Sequence, residues 1–345
     1  MMKTISWRDF RIQASRKPAR IALADGDDPR VVEAAARALT DGIAAPLLIG
    51  SRSRIEALWK SYTKAQVPCL DSQELTAEER ARFSRELLAL RKFKSLSPTE
   101  AEDRLKDPLI LGCLLLLTGK VEGFVGGATR TTADTLKAVF SIIGLAPKTS
   151  TLFGFFFIES RALGENPPLV LLADCAVTPD PSSKQLANIA AGAADAFHFF
   201  TGDSARVAFL SFSTKGSAEH AIVKKVQDAV RMAREKTPDM ALEGEWQADA
   251  ALDLATARMK GVGESSMAGR ANVLIVPDLN CGNIAYKLIE RLGGCRSVGP
   301  VLWGTALPAN DLSRGCSMED VLDMLALTTL QARKTSPLEK SAYAH

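Results

Sequence analysis

The sequence predicts an α/β protein in which mostly parallel sheets are covered by helices on both faces. Short apolar runs alternate with amphipathic helical patterns along most of the chain, and strands that alternate with helices form parallel sheets. Polar residues gather directly after several of these runs, where open α/β sheets place their ligand sites. With 345 residues, the chain is long enough for two domains at ~150 residues per domain.

The first half of the chain predicts four strands separated by helices. Ile21–Asp25 is apolar and ends at a Gly-Asp-Asp-Pro turn, which separates a strand from the following helix. The longest apolar run, 109–118, is far short of the ~20 residues of a membrane span and predicts a buried helix. The remaining predicted elements are a capped first helix at 6–9, strands at 46–50, 67–70 and 121–125, and helices at 31–39, 54–62, 78–93, after Pro98 and at 133–143.

The second half begins with two strands that could form an antiparallel hairpin, 152–158 and 169–173, with Gly164, Pro167 and Pro168 between them. After them we expect helices at 182–199, 218–235, 246–259 and 283–292, strands at 206–210, 271–276 and 301–303, and a final helix from Val321. The expected domains are 1–146 with 304–345, and 147–303. We expect the final loop and helix to return to the first domain, which would place that loop in a cleft between the two.

Composition excludes several classes of protein. A net charge of +3 without a block of Lys or Arg gives no case for a nucleic-acid partner. The six cysteines are scattered without a C-x-x-C pair, which is typical of reduced thiols in the cytoplasm. The three histidines are too dispersed to indicate a metal site, and no long apolar segment follows the basic start. We therefore expect a cytoplasmic protein without a metal or a membrane partner.

The segment 310–320 holds hydroxyls, a guanidinium, a glycine, a thiol and several carboxylates immediately before an apolar helical pattern. The N-terminus of a helix favours anions, and Ser317 with Asp320 has capping-box spacing. Two interpretations stay open. In one, Ser317 and Asp320 cap the helix and Arg314 is structural; in the other, Ser313, Arg314 and Asp320 act on an anion.

Four further loops at strand ends are polar: 25–30, 126–132, 211–217 and 277–283. None matches G-x-x-x-x-G-K-[ST] or G-x-G-x-x-G, so neither common phosphate-binding motif is present. Together with the segment 310–320, these loops favour a ligand that carries phosphate.

Several of these segments resemble phosphate acetyltransferases. Residues 210–217, L-S-F-S-T-K-G-S, resemble the L-S-[YF]-S-T-K-G-S run of that family. Residues 268–273, 277–284 and 310–317 resemble further runs, and 25–30, 90–92 and 132–136 fit the N-terminal half of the family. The resemblance implies a two-domain fold like that of isocitrate and isopropylmalate dehydrogenases, with the active cleft between the domains, and a homodimer. It also implies reversible transfer of an acetyl group between acetyl phosphate and coenzyme A.

The resemblance also implies roles for individual residues. Asp320 is cast as the base that takes the thiol proton of coenzyme A, Arg314 as the residue that holds the acyl phosphate, and Ser313 as part of the lining around the reacting group. Arg30 and Arg91 match arginines implicated in binding coenzyme A or phosphate. The further expected binding residues are Arg130, Thr132, Lys137, Ser213, Thr214, Lys215 and Asn283.

Lys137 departs from the family, which commonly has arginine there; lysine keeps the charge but loses the bidentate fork. Coenzyme A is expected as a substrate, alongside acetyl phosphate and phosphate, and no cofactor or metal is expected.

Alternative functions remain open on the sequence alone. A butyryl or propionyl group could replace acetyl, since the sequence does not show the size of the pocket. A regulatory module that senses acetyl-CoA resembles the transferase, but retention of Ser313, Arg314 and Asp320 favours an enzyme. A metal-dependent dehydrogenase of the same broad fold would need a carboxylate cluster that is not evident. A route through an acyl-cysteine would use Cys316, Cys175 or Cys281.

Overall fold

The computed structural model describes residues 6–147, 149–159 and 169–334. These residues divide into two compact units. The first unit comprises Trp7–Pro147 and the chain from Thr305 onward, and the second comprises mainly the described residues between 149 and 304. Each unit contains one sheet flanked by helices. The predicted class, two-domain α/β with mostly parallel sheets, is confirmed.

The strands form a five-stranded and a six-stranded sheet. In chain order they are β1 Arg20–Leu23, β2 Ala45–Ile49, β3 Cys69–Leu70, β4 Gly123–Gly126, β5 Phe153–Glu159, β6 Leu169–Ala173, β7 Val207–Leu210, β8 Leu242–Trp246, β9 Val273–Ile275, β10 Arg296–Trp303 and β11 Ala309–Asp311. The sheet of the first unit is entirely parallel, in the order β11-β4-β1-β2-β3. The sheet of the second unit has the order β10-β5-β6-β9-β7-β8. Its antiparallel pairs are β10 with β5 and β5 with β6, so the predicted hairpin is confirmed, while Gly164, Pro167 and Pro168 lie outside the described residues.

The helices follow the sequence signals for capping. Their bounds are α1 Trp7–Ser15, α2 Pro29–Thr40, α3 Arg52–Trp59, α4 Ala77–Ala89, α5 Pro98–Arg104, α6 Pro108–Leu117, α7 Thr132–Ile142, α8 Ser183–Thr201, α9 Ala221–Lys236, α10 Ala248–Leu252, α11 Leu254–Met259, α12 Leu279–Arg291 and α13 Met318–Lys334. Asp28 and Asp107 cap α2 and α6, each followed by a proline at the first helical position, where its missing N–H costs nothing.

Two extensively buried helices, α6 and α13, lie in the core of the first unit. Helix α6 buries apolar side chains on every face, and none of the described helices combines the length and the hydropathy that a membrane span requires. Helix α13 is buried continuously from Val321 to Ala332 and packs against α1, α2 and β4. Because α13 is anchored along its length, its first turn is held at a fixed place in the unit.

The prediction of one helix over 246–259 was wrong. Trp246 ends β8, and two short helices, α10 and α11, follow it. Asp253 separates them with extended backbone and caps α11. Both β8 and β11 were missed because each carries buried polar side chains, Glu245 in one and Asn310 and Asp311 in the other, which hide the apolar character of a strand.

Candidate active site

The first sheet has its topological switch point between β1 and β4. The chain runs outward from β1 to β2 and β3, and then returns to the other side of β1 to form β4 and later β11. Ligands in open α/β sheets bind at such a point, beyond the carboxyl ends of the strands. Three segments meet this description, and we name them the β1 loop (24–30), the β4 loop (127–131) and the β11 loop (312–317).

Asp25 holds the β4 loop in place. Its buried carboxylate accepts hydrogen bonds from the backbone N–H groups of Gly127, Ala128 and Thr129 at 2.8, 3.0 and 3.1 Å, and a further one from the Thr129 hydroxyl. A buried carboxylate needs such donors to offset its desolvation. The carboxyl end of β1 is thus tied to the backbone after β4.

Arg30 joins all three loops. Its Nε and Nη2 donate to the Asp28 carboxylate at 3.0 and 2.9 Å, and Nη2 also donates to the Ala128 carbonyl at 3.0 Å. Its Nη1 donates to the carbonyls of Arg314 and Cys316 at 2.9 and 2.8 Å. These bonds use all five N–H donors of a guanidinium. The expected binding of coenzyme A or phosphate by Arg30 stays a prediction; in this structure its donors are directed to groups of the protein, and the side chain links the three loops.

The pairing of Arg30 with Asp28 also changes the titration of that acid. Burial acts to raise the pKa of Asp28, but the side-chain and backbone hydrogen bonds from Arg30 outweigh it and hold the pKa below its ordinary value. Asp28 therefore stays ionised at neutral pH and keeps the guanidinium oriented toward the loop carbonyls.

The β11 loop leads directly into α13. The Cys316 N–H donates to the Ser313 carbonyl at 2.9 Å, and the Gly315 N–H to the Ser313 hydroxyl at 3.3 Å. The Ser317 N–H donates to the Asp320 carboxylate at 2.8 Å, and the Asp320 N–H to the Ser317 hydroxyl at 3.2 Å. The predicted capping box is confirmed. One oxygen of Asp320 is used by the cap, and the other accepts no hydrogen bond from the described residues.

Arg314 differs from Arg30 in every respect that bears on ligand binding. Its side chain is exposed, and in the described part of the chain no acidic group or carbonyl pairs with its guanidinium. It lies four residues before Met318, the first residue of α13, in the same loop as Ser313. An unpaired guanidinium near the positive end of a helix is suited to an anion.

Cys316 lies in this loop, but its thiol is unreactive. Its side chain is buried, and burial raises the pKa of the thiol to about 12, although Arg30 acts to lower it. Burial also raises the pKa of Cys175 well above its ordinary value. Both thiols are therefore protonated at neutral pH and are weak nucleophiles.

Of the other predicted site residues in the first unit, only Arg130 lies in one of these loops. Arg130, in the β4 loop, lies 3.6 Å from the Asp107 carboxylate, and Thr132 is the first residue of α7. Arg91 follows α4, and Lys137 is on the exposed face of α7. Among the described residues, no hydrogen bond or ion pair joins Arg91 or Lys137 to the three loops.

Ser213, Thr214 and Lys215 belong to the second unit, after β7. The Ser213 hydroxyl donates to the buried carboxylate of Glu245 at 2.8 Å, and the Thr214 hydroxyl to the Gln247 side chain at 3.1 Å. The Lys215 ammonium pairs with Glu243 at 2.7 Å. These side chains, predicted to bind substrate, are occupied in fastening their own loop to β8 and the residue that follows it.

Asn283 lies in the first turns of α12 and is likewise paired. Its amide donates to the Cys175 carbonyl at 3.4 Å and accepts from Lys287 at 2.8 Å. Nearby, the buried carboxylate of Asp174 accepts backbone N–H groups from Gly154, Ala176, Val177 and Thr178. Burial raises the pKa of Asp174, and these four hydrogen bonds act against the rise.

Sequence reasoning missed the buried acids that shape both units. Asp25 was recognised only as one acid among several in its loop, and Asp174, Glu245 and Asp311 were not singled out. Asp25, Asp174 and Asp311 share one signal, which is an acid at the carboxyl end of an apolar or buried strand. At such a position a carboxylate can accept the N–H groups of the turn that follows.

Comparison with known proteins agrees with this geometry. The chain matches the phosphate acetyl/butaryl transferase family over residues 8–329. A phosphate acetyltransferase from Thermoanaerobacterium thermosaccharolyticum is 40% identical over 323 residues, covering 93% of this chain and 97% of the relative. One from Escherichia coli K12 is 39% identical over 330 residues, covering 94% of this chain and 45% of that longer relative.

Solved structures give the same result. A phosphotransacetylase from Streptococcus pyogenes superposes with a TM-score of 0.85 at 34% identity, covering 96% of this chain and 100% of that one. A 4-hydroxythreonine-4-phosphate dehydrogenase from Klebsiella pneumoniae has a TM-score of 0.52 at 11% identity and covers 92% of this chain and 100% of its own, which is a likeness of fold alone. The fold and these relatives define the class as a transferase enzyme. The chain belongs to the phosphate acetyl/butaryl transferase family, and the resemblance read from its motifs is confirmed.

Replacing Arg30 and Arg314 separately by lysine should distinguish their roles. Arg30→Lys loses the planar fork that reaches three loops, so we expect the free energy of unfolding to fall by ~1–3 kcal/mol. Arg314→Lys should change it by less than ~0.5 kcal/mol because no internal contact is lost. Denaturant unfolding without ligand measures both. Equal losses in the two variants would contradict the division of roles.

Proposed function

We propose that this chain catalyses reversible transfer of an acetyl group between acetyl phosphate and coenzyme A, by direct attack of the thiolate within a ternary complex. The observation that carries the proposal is the start of α13, where the unpaired guanidinium of Arg314 lies a few residues before an acid, Asp320, that has one free carboxylate oxygen. A cation for the phosphoryl group and a base for the thiol are the two groups that this reaction needs.

In the proposed reaction, the free oxygen of Asp320 takes the proton of the thiol. A free thiol has a pKa of ~8.5 and is mostly protonated at neutral pH, so a positioned base helps. The sulfur then forms a bond to the carbonyl carbon, the bond from that carbon to the phosphate oxygen breaks, and phosphate leaves with the electron pair. Arg314 stabilises the charge that develops on the phosphate, and Ser313 lines the reacting group.

The chemistry of the cysteines supports direct attack rather than an acyl-cysteine. Cys316 would have to lose a proton whose pKa is raised to about 12 by burial, and Cys175 is more strongly shifted in the same direction. Cys281 is exposed, but burial of part of its side chain raises its pKa as well. None of the three is an activated nucleophile of the kind that covalent catalysis uses.

The remaining site residues fall into two groups, according to whether their side chains already have hydrogen-bond or ion-pair partners within the protein. We assign Arg91 and Lys137, with Arg130 and Thr132, to the phosphates of coenzyme A, since the first two are exposed and form no hydrogen bond or ion pair with the described residues. Ser213, Thr214, Lys215 and Asn283 are assigned to shaping the loops on which they lie. The reaction needs no cofactor besides coenzyme A itself, which is a substrate. Six unpaired cysteines support a reducing compartment, the cytoplasm.

The activity is tested by following thioester formation from coenzyme A and acyl phosphates of increasing length. We expect kcat/KM to be highest for acetyl phosphate and to fall for propionyl and butyryl phosphate, because each added methylene changes discrimination by ~10–200-fold. Double-reciprocal plots should intersect, as a ternary complex requires. A preference for butyryl phosphate would contradict the acetyl assignment, and parallel lines would contradict direct attack.

Two variants separate catalysis by Asp320 from capping by Asp320. Asp320→Asn keeps an oxygen that can accept the Ser317 N–H but loses the base, so kcat should fall ~10²–10⁴-fold with little change in KM. Ser317→Ala removes the cap but keeps the carboxylate, so it should cost ~1 kcal/mol of stability and leave kcat nearly unchanged. Steady-state kinetics with thermal denaturation measures both. A near-normal kcat in Asp320→Asn would remove Asp320 from the mechanism.

We further propose that the enzyme is a homodimer joined through α12. Ile284 and Leu288 on α12 and Leu292 at its C-cap are 55, 51 and 83% exposed, and their spacing of four residues places them in one stripe along the same face. Charges of both signs, Lys287, Glu290 and Arg291, flank the stripe. A two-fold interface brings the same patch of each subunit together, so an apolar stripe between opposite charges suits a second copy of this chain.

Changing both leucines of the stripe to aspartate should produce monomers. Leu288→Asp with Leu292→Asp places four like charges at a self-complementary interface, and sedimentation velocity should show about half the wild-type mass. Met259→Asp, at a residue that is 81% exposed on α11, is the matched control and should remain dimeric. A dimeric double variant would place the interface elsewhere.

A further inference from the structure

The carboxyl of Asp311 is buried at the end of β11, directly before the β11 loop. Its side chain is fully buried, and neither carboxyl oxygen accepts a hydrogen bond of ordinary distance and angle from the described residues; the Thr132 and Thr135 hydroxyls and the Leu312 N–H act on it only weakly. A buried carboxyl that no cation and no well-formed hydrogen bond compensates favours its neutral form, since the charged form loses more solvation than weak donors return.

The surroundings of Asp311 belong to the elements that carry the site. A Cβ atom placed on Gly127 would lie 2.2 Å from Oδ1 of Asp311, so the glycine makes room for the acid against the β4 loop. The Leu312 N–H donates to the Gly126 carbonyl at 2.7 Å. The hydroxyls of Thr132 and Thr135, in the first turn of α7, act to lower the pKa of the Asp311 carboxyl.

The charges around Asp311 do not compensate it. The carboxylate of Asp25, in the β1 loop, is the charged group with the largest effect on it. The elements that pack against β11 are β4, α7 and α13. Helix α7 carries the exposed Asp134 and Lys137, and β4 carries no charged side chain. The charged residues of α13 are Glu319, Asp320, Asp323, Arg333 and Lys334.

The first turns of α13 offer Asp311 no cation either. Glu319 and Asp323 both pair with Arg11, at 2.6 Å each. Burial, with a further contribution from Asp25, raises the pKa of Asp311 to about 7, although the two threonine hydroxyls and the Leu312 N–H act to lower it.

We propose that Asp311 is a positioning residue of the transfer reaction, and that its buried carboxyl must be neutral for the adjoining β11 loop to hold an anionic acyl phosphate. The proposal rests on the proposed function. When ionised, Asp311 places a second negative charge beside Asp25 at the edge of the sheet where the phosphoryl group would bind. That charge repels the substrate and draws the hydroxyls at the start of α7 toward itself. When neutral, it leaves the loops in the arrangement described above.

The experiment compares wild type with Asp311→Asn, which has the same shape and no titratable proton. In wild type, kcat/KM for acetyl phosphate should fall up to ~10-fold per pH unit above about 7, since this parameter reports groups of the free enzyme. In Asp311→Asn this fall should be absent, with kcat/KM near that of wild type at lower pH. Asp103→Asn, which removes an exposed carboxylate of the same unit, should keep the wild-type profile.

A second variant protects the test against a failure of Asp311→Asn to fold. Thr135→Val removes a hydroxyl that stabilises the ionised form, so the fall in kcat/KM should move to higher pH. An unchanged inflection in folded Asp311→Asn would overturn the proposal, and so would loss of activity at every pH in that variant. An unshifted inflection in Thr135→Val would also count against it.

Stability gives a readout that does not depend on activity. A raised pKa means that the folded state holds a proton that the unfolded chain releases. The melting temperature of wild type should therefore fall relative to Asp311→Asn as pH rises from 3.8 to about 7, and the difference should be constant above that. If wild type showed no acetyl transfer, the proposed function would fail, while this comparison would still report the ionisation of Asp311.

Discussion

The guanidinium of Arg30 is the interaction on which the candidate site depends. Parallel strands bring the β1, β4 and β11 loops to the same edge of the sheet, but strand pairing stops where the loops begin, and their backbone groups need other partners. Arg30 supplies donors to carbonyls of the β4 and β11 loops, while Asp25 supplies acceptors to N–H groups of the β4 loop. One anion just after β1, Asp25, and one cation at the start of α2, Arg30, thus satisfy groups that the sheet leaves unpaired.

In the second unit, buried carboxylates provide hydrogen-bond partners for the loops that follow the strands. Asp174 accepts four backbone N–H groups after β6, and Glu245 accepts from the Ser213 hydroxyl and the Gly216 N–H after β7. Burial acts to raise the pKa of Glu245, but these hydrogen bonds outweigh it and lower the value. Buried acids at strand ends are therefore a structural theme of both units. Burial of such an acid is therefore no sign of catalysis by itself, and Asp311, whose carboxyl oxygens accept no hydrogen bond of ordinary geometry, is the exception that needs explanation.

The fold was predictable where apolar patterning and capping signals agree. The alternation of strands and helices, the hairpin of β5 and β6, and the capping box of Ser317 with Asp320 all follow from local residue types. Strands β8 and β11 were hidden because buried polar side chains interrupt their apolar pattern. In β11, for example, Asn310 is buried and satisfied by Thr328 and Gln331 of α13, partners that are distant in sequence and cannot be inferred from spacing.

In the candidate site, as in the fold, the sequence predicts features that depend on neighbouring residues and misses those that depend on partners distant in sequence. The motifs identified loops that the fold brings to one edge of the sheet, but residue type alone did not separate Arg30 from Arg314, since both are arginines in polar loops at the carboxyl edge. The acceptors of Arg30 are mainly backbone carbonyls, and every residue has one, so they leave no signal in the sequence. What separates the two arginines is whether the fold has already used their hydrogen bonds. Charges that the fold has paired set the geometry of the loops, whereas the Arg314 guanidinium and one oxygen of Asp320 have no partner among the described residues, and this is why the proposed function assigns the chemistry to them.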